Sequence, residues 1–545
     1  MKRIPLLPLS VVLLSTLVCF LPALRFGFLY WDDVKNIVTN PYLRQLNFSS
    51  LHWMWTTHFQ GPYQPLSWLS LAWDFKCWGL QPWGYHLTNV TFHLTNVALV
   101  YYLLRRLFDQ ESSGWIAGLG ALFFAIHPLR VESVVWVTER RDVLSGFFFF
   151  LSLIAYLRRQ LSWSIPLFIA ALLSKATAVG LVWILIALDM TVLHRLPLDP
   201  RQWFVKEYRP VWREKLIYGA MAFVVGACNL WMFHVQGILQ SRYSMGGRVA
   251  LFLHNATFYV QKMVCPYPLL PYYELPVHLS EMSPSLVLHG TVTVFLTVAC
   301  WLWRQRFPGL IVAWLTYLGM LFPISGVAQN GQQSAADRYT YLTLLPWTAL
   351  GVVILQRYRK TRGAALIVLG TLAIRTWFQT QVWRNDETLW AYTLRFAPDT
   401  YLAHSNLGTL YFRQRRDNEA YQELALANRL RPTEVGDALN LGSLEVQHAH
   451  WDRAESIYRR VLVAEPGNKQ IQNNLALVKA HQGHFTEAIT LLRHILASDP
   501  NFAEAQLNLG ALLLQQGEKA EGKAHIERAW QLKPELKRHL PRSLS

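Results

Sequence analysis

The chain has 545 residues, 52% of them hydrophobic and 14% aromatic, and only 16% charged. That is too apolar for a soluble protein of this size and points to a polytopic membrane protein. The net charge of +17 does not argue for nucleic acid, because the basic residues fall in short clusters between apolar runs, where they orient a chain in a bilayer. Five cysteines, Cys19, Cys77, Cys228, Cys265 and Cys300, are scattered with no CxxC pair, so neither a disulfide framework nor a zinc site is indicated.

A first apolar run covers residues 5–24 behind Lys2 and Arg3 and has no small-x-small cleavage site, so it reads as a span rather than a cleaved signal. Further spans are expected at 86–104, 114–128, 143–157, 162–174, 177–193, 215–234, 286–303, 309–324, 340–356 and 363–378. The basic clusters Arg105-Arg106, Arg158-Arg159, 195–214, Arg304 with Arg306, and 357–362 are placed in the cytoplasm. Segment 249–265 is also apolar, but crossing there would move the last two clusters outside. It also carries His254, Asn255, Gln261 and Lys262, which are costly in lipid. It is therefore expected to be interfacial or re-entrant, which leaves eleven spans and puts the C-terminal region on the non-cytoplasmic side, in a bacterial periplasm or an endoplasmic-reticulum lumen.

With this orientation the polar clusters gather on one face. The outer loops carry Asp32-Asp33, then His127, Glu132, Arg140 and Asp142, then Lys175, Arg242, and finally Gln329, Gln333, Asp337 and Arg338. Convergence of acid, base and cation is what an active site at the outer leaflet needs. Asp32 and Asp33 stand just past an apolar Phe-Leu-Tyr-Trp run. The first loop, 25–85, holds Trp53, Trp55, Trp68, Trp73, Trp78 and Trp83. These suit short helices lying flat at the headgroups or the aromatic core of a small outer subdomain, and the two are compatible.

After residue 378 the composition turns soluble. Prolines recur every 34 residues at Pro398, Pro432, Pro466, Pro500 and Pro534. Leu407-Gly408, Leu441-Gly442, Leu475-Ala476 and Leu509-Gly510 fall in register, as do Ala420, Ala454, Ala488 and Gly522. Small residues at these places let two antiparallel helices approach, which is the tetratricopeptide pattern. The expected organisation is all-α: a membrane domain over 1–378, a connector with a half repeat over 379–400, four repeats over 401–534 and a tail over 535–545. The solenoid's concave face suits an extended peptide or a partner helix.

The DD-bearing first loop, HPLRVESVVWVTERRDVLS at 127–145, QQSAADRYTYL at 332–342 and the repeats that follow together resemble the transmembrane, tetratricopeptide-repeat O-mannosyltransferases of the GT-C glycosyltransferase superfamily. The resemblance covers nearly the whole chain and is weakest between about 145 and 250. It implies a lumenal or periplasmic site, a polyprenyl-phosphate sugar donor with mannose as the sugar, a protein hydroxyl acceptor, and inversion at the anomeric carbon. The family's acidic pair falls on Asp32 and Asp33, its His-Pro-x-x-x-Glu on His127, Pro128 and Glu132, its Arg-x-Asp on Arg140 and Asp142, and its Ala-Asp-Arg-Tyr on Ala336 to Tyr339. Glu139 departs from the small residue that relatives often carry and adds negative charge beside Arg140.

On this reading an acceptor hydroxyl displaces a lipid phosphate without a cofactor or a metal. Asp32 is assigned as general base, with Asp33 raising the pair's pKa or orienting the acceptor. Arg140, Lys175 and Arg338 are the candidates for holding the phosphate, and His127, Glu132, Asp142, Arg242, Gln333 and Asp337 are further site candidates. Each has a plainer reading: an N-cap for the Asp pair, a helix terminator for His127-Pro128, snorkelling for Arg140-Arg141 and a local ion pair for Asp337-Arg338. The alternative function is a membrane-anchored repeat scaffold for envelope or lumenal assembly.

Overall fold

The computed structural model describes residues 5–108, 114–235, 243–275, 283–327 and 333–539. Nearly every described segment is helical, and the described strands are one short antiparallel pair, Tyr273–Glu274 with Gln333–Ala335. Two compact units divide between Tyr392 and Thr393.

In the first unit each expected span falls on helix. Only three described helices are long and apolar enough by themselves to cross a membrane: Leu6–Arg25, Lys206–Val235 and Pro284–Leu302. The count rises to five if two bent pairs are each one span. One pair is Trp115–Ile126 with Pro128–Val135, bent by 55°; the other is Asp337–Thr343 with Leu345–Arg357, bent by 56°. The first bend sits at Pro128, whose ring and missing N–H break the ladder. Helix length and composition therefore do not establish the eleven spans. The reason is chemical: helix Pro82–Phe108 buries Asn89, His93 and Asn96, and helix Arg140–Leu157 begins with three charges. These polar groups face protein. Asn96 Nδ2 donates to the Val143 carbonyl at 2.8 Å, and Asn89 Nδ2 to the carbonyls of Val134 and Trp136, both at 3.2 Å. Segment 249–265 lies in one 20-residue helix, Met245–Val264, packed against Ser283–Leu302, with His254 and Asn255 buried.

The tryptophan-rich loop forms helices Phe48–Thr56 and Pro65–Trp78 around a core of Ile37, Leu43, Met54, Trp68, Leu71 and Tyr85. Trp53 packs on Trp68 while Trp55, Trp73 and Trp83 are exposed. The aromatic core and an outward tryptophan face thus coexist.

The second unit is a helical solenoid. Its paired helices are Tyr401–Arg413 with Asp417–Leu430, Val435–Gln447 with Trp451–Ala464, Lys469–His481 with Phe485–Ser498, and Ala503–Gln515 with Lys519–Leu532. Each register alanine is fully buried where the pair crosses. At Gly510 the fit is backbone to backbone: a Cβ there would lie 2.7 Å from the Gly522 carbonyl oxygen. Gly510→Val is therefore expected to destabilise the last repeat by about 1–3 kcal/mol, read as earlier proteolytic release of the C-terminal repeat.

Candidate active site

The 25–85 loop, the 127–142 segment, Lys175 and the 333–339 segment meet in the first unit. Asp33 is buried and its carboxylate is saturated. Oδ2 accepts from the Leu29 amide at 3.0 Å, and Oδ1 accepts from the Thr138 amide at 2.9 Å and the Thr138 hydroxyl at 2.6 Å. It caps no helix; it ties the loop to the turn before Arg140. Burial pushes its carboxyl up to about 7, against these three hydrogen bonds.

In an unfolded chain the Asp33 carboxyl titrates near ~3.9. Between roughly that pH and 7 the folded state holds a proton that the unfolded state lacks, so stability falls as pH rises through this window. Asp33→Asn is expected to flatten that slope and to lower stability by about 1–3 kcal/mol, because its amide group faces donors. Thermal melts between pH 4 and 8 check both.

Asp32 differs in kind. It is half-buried, and no hydrogen bond to its carboxylate is found among the described residues. Burial raises its pKa, with the positive charges of Arg141 and Arg338 opposing and Glu139 adding. Trp31 beside it stacks on Trp136 at 4.5 Å and meets Trp390 edge-on at 5.1 Å. The Tyr30 amide donates to the Asp386 carboxylate at 2.9 Å. The Asp32 backbone is thus clamped from the 136–139 turn and from the connector helix Asp386–Phe396, while its side chain is left free.

The cations converge on Glu139. Its carboxylate accepts from Arg141 Nε at 3.0 Å and Lys175 Nζ at 2.8 Å, and Arg338 Nε lies 3.3 Å away. Burial would raise this carboxyl, but Arg141, Lys175 and Arg338 together hold it well below the usual range. Lys175 also donates to Asp142 at 2.7 Å, and Asp142 accepts from Ser133 at 3.0 Å. Arg338 bonds Glu132 through its backbone amide at 2.7 Å and through its guanidinium, and reaches Gln333 Oε1 at 3.0 Å. Asp337 accepts from the Tyr273 hydroxyl at 3.0 Å. Burial raises Glu132, Asp142 and Asp337, and each faces at least one opposing cation. Three cations, Arg141, Lys175 and Arg338, face four carboxylates, Glu132, Glu139, Asp142 and Asp337, so protonation of one carboxylate brings the cluster to neutrality and lowers the cost of admitting an anion.

Arg141, Lys175, Gln333 and Arg338 line a cavity of about 350 Å³, with Gln64, Asn229 and Tyr339 also on its wall. That volume suits a sugar-sized group.

Arg140 requires a correction. Its guanidinium is fully buried away from this cavity, bonded to Asp74 at 2.5 Å, Ser70 at 2.9 Å, the Tyr85 carbonyl at 2.9 Å and Asn89. With four partners in place it anchors the tryptophan-rich loop and has no fork to offer a phosphate. Arg141, one residue on, points into the cavity instead. Two adjacent residues at the start of a helix face directions about 100° apart, so sequence alone does not decide which faces the site. His127 is also structural: Nδ1 accepts from the Leu129 amide at 3.3 Å and Nε2 pairs with the Met263 carbonyl at 2.9 Å. The Asp337-Arg338 pair is not a local ion pair, since the two side chains reach different partners. Arg242 and Gln329 lie outside the described residues.

Against known proteins, tetratricopeptide-repeat family profiles match residues 439–501 and 479–538. The chain is 36% identical over 150 residues to protein O-mannosyl-transferase tmtc2 of Xenopus laevis, covering 26% of this chain and 18% of that protein. It is 33% identical over 177 residues to protein O-mannosyl-transferase Tmtc1 of Drosophila melanogaster, covering 30% of this chain and 20% of that protein. The chain is similar to the protein O-mannosyl-transferases.

The matched stretch spans about a fifth of the length of these relatives. Among solved structures, the crystal structure of MamA matches 28% of this chain and 88% of its own at 19% identity, with a TM-score of 0.25.

Proposed function

We propose that this chain is a membrane protein O-mannosyltransferase of the GT-C type, moving mannose from a polyprenyl phosphate to a Ser or Thr hydroxyl at the outer or lumenal face. The observation that carries the reading is a free carboxylate, Asp32, in the field of Arg141 and Arg338 where these line a sugar-sized cavity with Lys175. In one displacement the acceptor oxygen bonds to the anomeric carbon. The bond from that carbon to the phosphate oxygen breaks, and its electron pair leaves on the lipid phosphate. The acceptor proton passes to Asp32. Arg141, Lys175 and Arg338 offset the charge that develops on the leaving phosphate. No cofactor enters this scheme. The similarity to named O-mannosyl-transferases supports the same reaction class.

The test is transfer of radiolabel from polyprenyl-phosphate mannose to protein in membranes containing the chain. Label in protein is the expected result; none, with the chain folded and inserted, leaves the membrane scaffold as the better reading. Removing 399–545 is expected to lower transfer to protein while sparing donor hydrolysis, and equal loss of both would argue against presentation of the acceptor by the repeats.

A further inference from the structure

Four amide side chains line the cavity with Arg141, Lys175 and Arg338: Gln60, Gln64, Asn229 and Gln333. Three of them are exposed or paired. Gln60 is exposed. Asn229 accepts from the Tyr63 amide at 3.0 Å through Oδ1 and donates to the Val225 carbonyl at 2.9 Å through Nδ2. Gln333 accepts from Arg338 at 3.0 Å and donates to the Tyr339 hydroxyl at 2.8 Å. Gln64 differs from all three. It is only 4% exposed, and its side chain makes no hydrogen bond among the described residues, with Oε1 buried and lacking a donor.

The local fold has no use for an amide at this place. Gln64 precedes helix Pro65–Trp78, but its backbone carbonyl, not its side chain, takes the amides of Ser67 and Trp68, at 3.0 and 3.2 Å. Burying an unpaired amide is costly, and an apolar side chain of the same length would fill the space without that cost. The amide therefore has its use when the cavity is filled.

Its position is also fixed. The turn before it takes two successive left-handed residues, Gln60 at φ 59° and Gly61 at φ 105°. Asn229 holds the Tyr63 amide, and the Ser67 hydroxyl donates to the Ser174 carbonyl at 2.9 Å. This last bond ties the start of the helix to the segment that carries Lys175. Amide and cation thus keep a set relation in one cavity. Their chemistry divides the ligand: cations suit a phosphate, whereas an amide, with one acceptor and one donor group, suits a hydroxyl that both gives and takes a hydrogen bond.

We propose that Gln64 is a specificity-determining residue of this site, its amide hydrogen-bonding a hydroxyl of the sugar whose phosphate Arg141, Lys175 and Arg338 hold. The inference rests on the transferase reading and adds to it which residue reads the sugar. A site that pairs a buried polar group with a substrate hydroxyl rejects the analogue lacking that hydroxyl, because the group is then left unpaired.

The test uses the full chain in nanodiscs without acceptor. Short-chain polyprenyl-phosphate mannose, its four monodeoxy analogues and polyprenyl phosphate without sugar are titrated by calorimetry into the unaltered chain and into Gln64→Met, which keeps the side-chain length and removes the amide. The unaltered chain is expected to bind at least one monodeoxy donor about tenfold or more weakly than the full sugar. Gln64→Met is expected to bind the full sugar about tenfold more weakly and to lose the penalty for that same analogue, the mark of a direct contact in a double cycle. Both chains are expected to bind the sugar-free lipid phosphate equally. Without ligand, Gln64→Met is expected to melt no lower than the unaltered chain, since no protein hydrogen bond is removed. The inference alone is overturned if the unaltered chain tolerates every monodeoxy donor, if Gln64→Met keeps the same penalties, if it loses the sugar-free phosphate as well, or if it melts lower when empty. If the unaltered chain binds neither donor nor lipid phosphate, the transferase reading falls and the inference falls with it.

Discussion

Asp32→Asn is expected to abolish sugar transfer, by a factor of roughly 10²–10⁴, while the chain stays folded and inserted. The carboxylate makes no hydrogen bond among the described residues, so its removal leaves no buried partner unsatisfied. The adjacent Asp33 sets the contrast: it holds Leu29 and Thr138 through three hydrogen bonds, and its loss costs stability first. Burial raises the Asp32 pKa, and a base works only when ionised. Transfer is therefore expected to climb with pH through an acid limb that lies above the usual carboxylate range. Full activity of Asp32→Asn in the radiolabel assay would falsify the base assignment, as would an acid limb at the ordinary position.

Arg141→Ala and Arg140→Ala are expected to fail in opposite ways. Arg141 is partly open to the cavity and shares Glu139 with Lys175 and Arg338. Its loss should cut transfer by about tenfold or more, through a weaker hold on the phosphate, with the melting temperature little changed. Arg140 is sealed against Asp74, Asn89, Ser70 and Tyr85. Removing it strands a buried carboxylate and should cost about 3–5 kcal/mol, visible as loss of the folded tryptophan-rich loop before any kinetic effect. Asp74→Asn with Arg140→Gln should recover part of that stability, because the charge to be neutralised is gone. If Arg140→Ala melts normally yet loses donor affinity, the two roles have been assigned the wrong way round.

The repeats were legible because their signal is local and recurrent. A 34-residue period in proline and small residues predicts helix pairs without knowledge of anything distant, and the solenoid over 401–534 has those pairs. The half repeat expected within the 379–400 connector likewise has its helix, Asp386–Phe396. Membrane topology was less legible. Asn89, Asn96 and the Arg140-Arg141-Asp142 start of a helix lower the hydropathy of segments that other helices cover, so apolar length does not reveal which helices cross. Part of the candidate site was legible as well. Lys175, Arg338, Glu132 and Asp142 were placed together because each stands in a polar break between apolar runs, and the structure joins them through Glu139.

By itself the sequence determined the all-α class, the repeat register, and the presence of a carboxylate pair just beyond the first apolar helix. Only the tertiary structure decided which member of each neighbouring pair faces the charge cluster at the cavity: Asp32 rather than Asp33, and Arg141 rather than Arg140. Adjacent residues share composition, local propensity and side of the membrane. What separates them is direction, and direction is set by partners more than 50 residues away, Thr138 for Asp33 and Asp74 with Asn89 for Arg140. Those partners take up one carboxylate and one guanidinium; of the neighbours, Asp32 carries a carboxylate with no hydrogen bond among the described residues, and Arg141, paired with Glu139, lines the cavity.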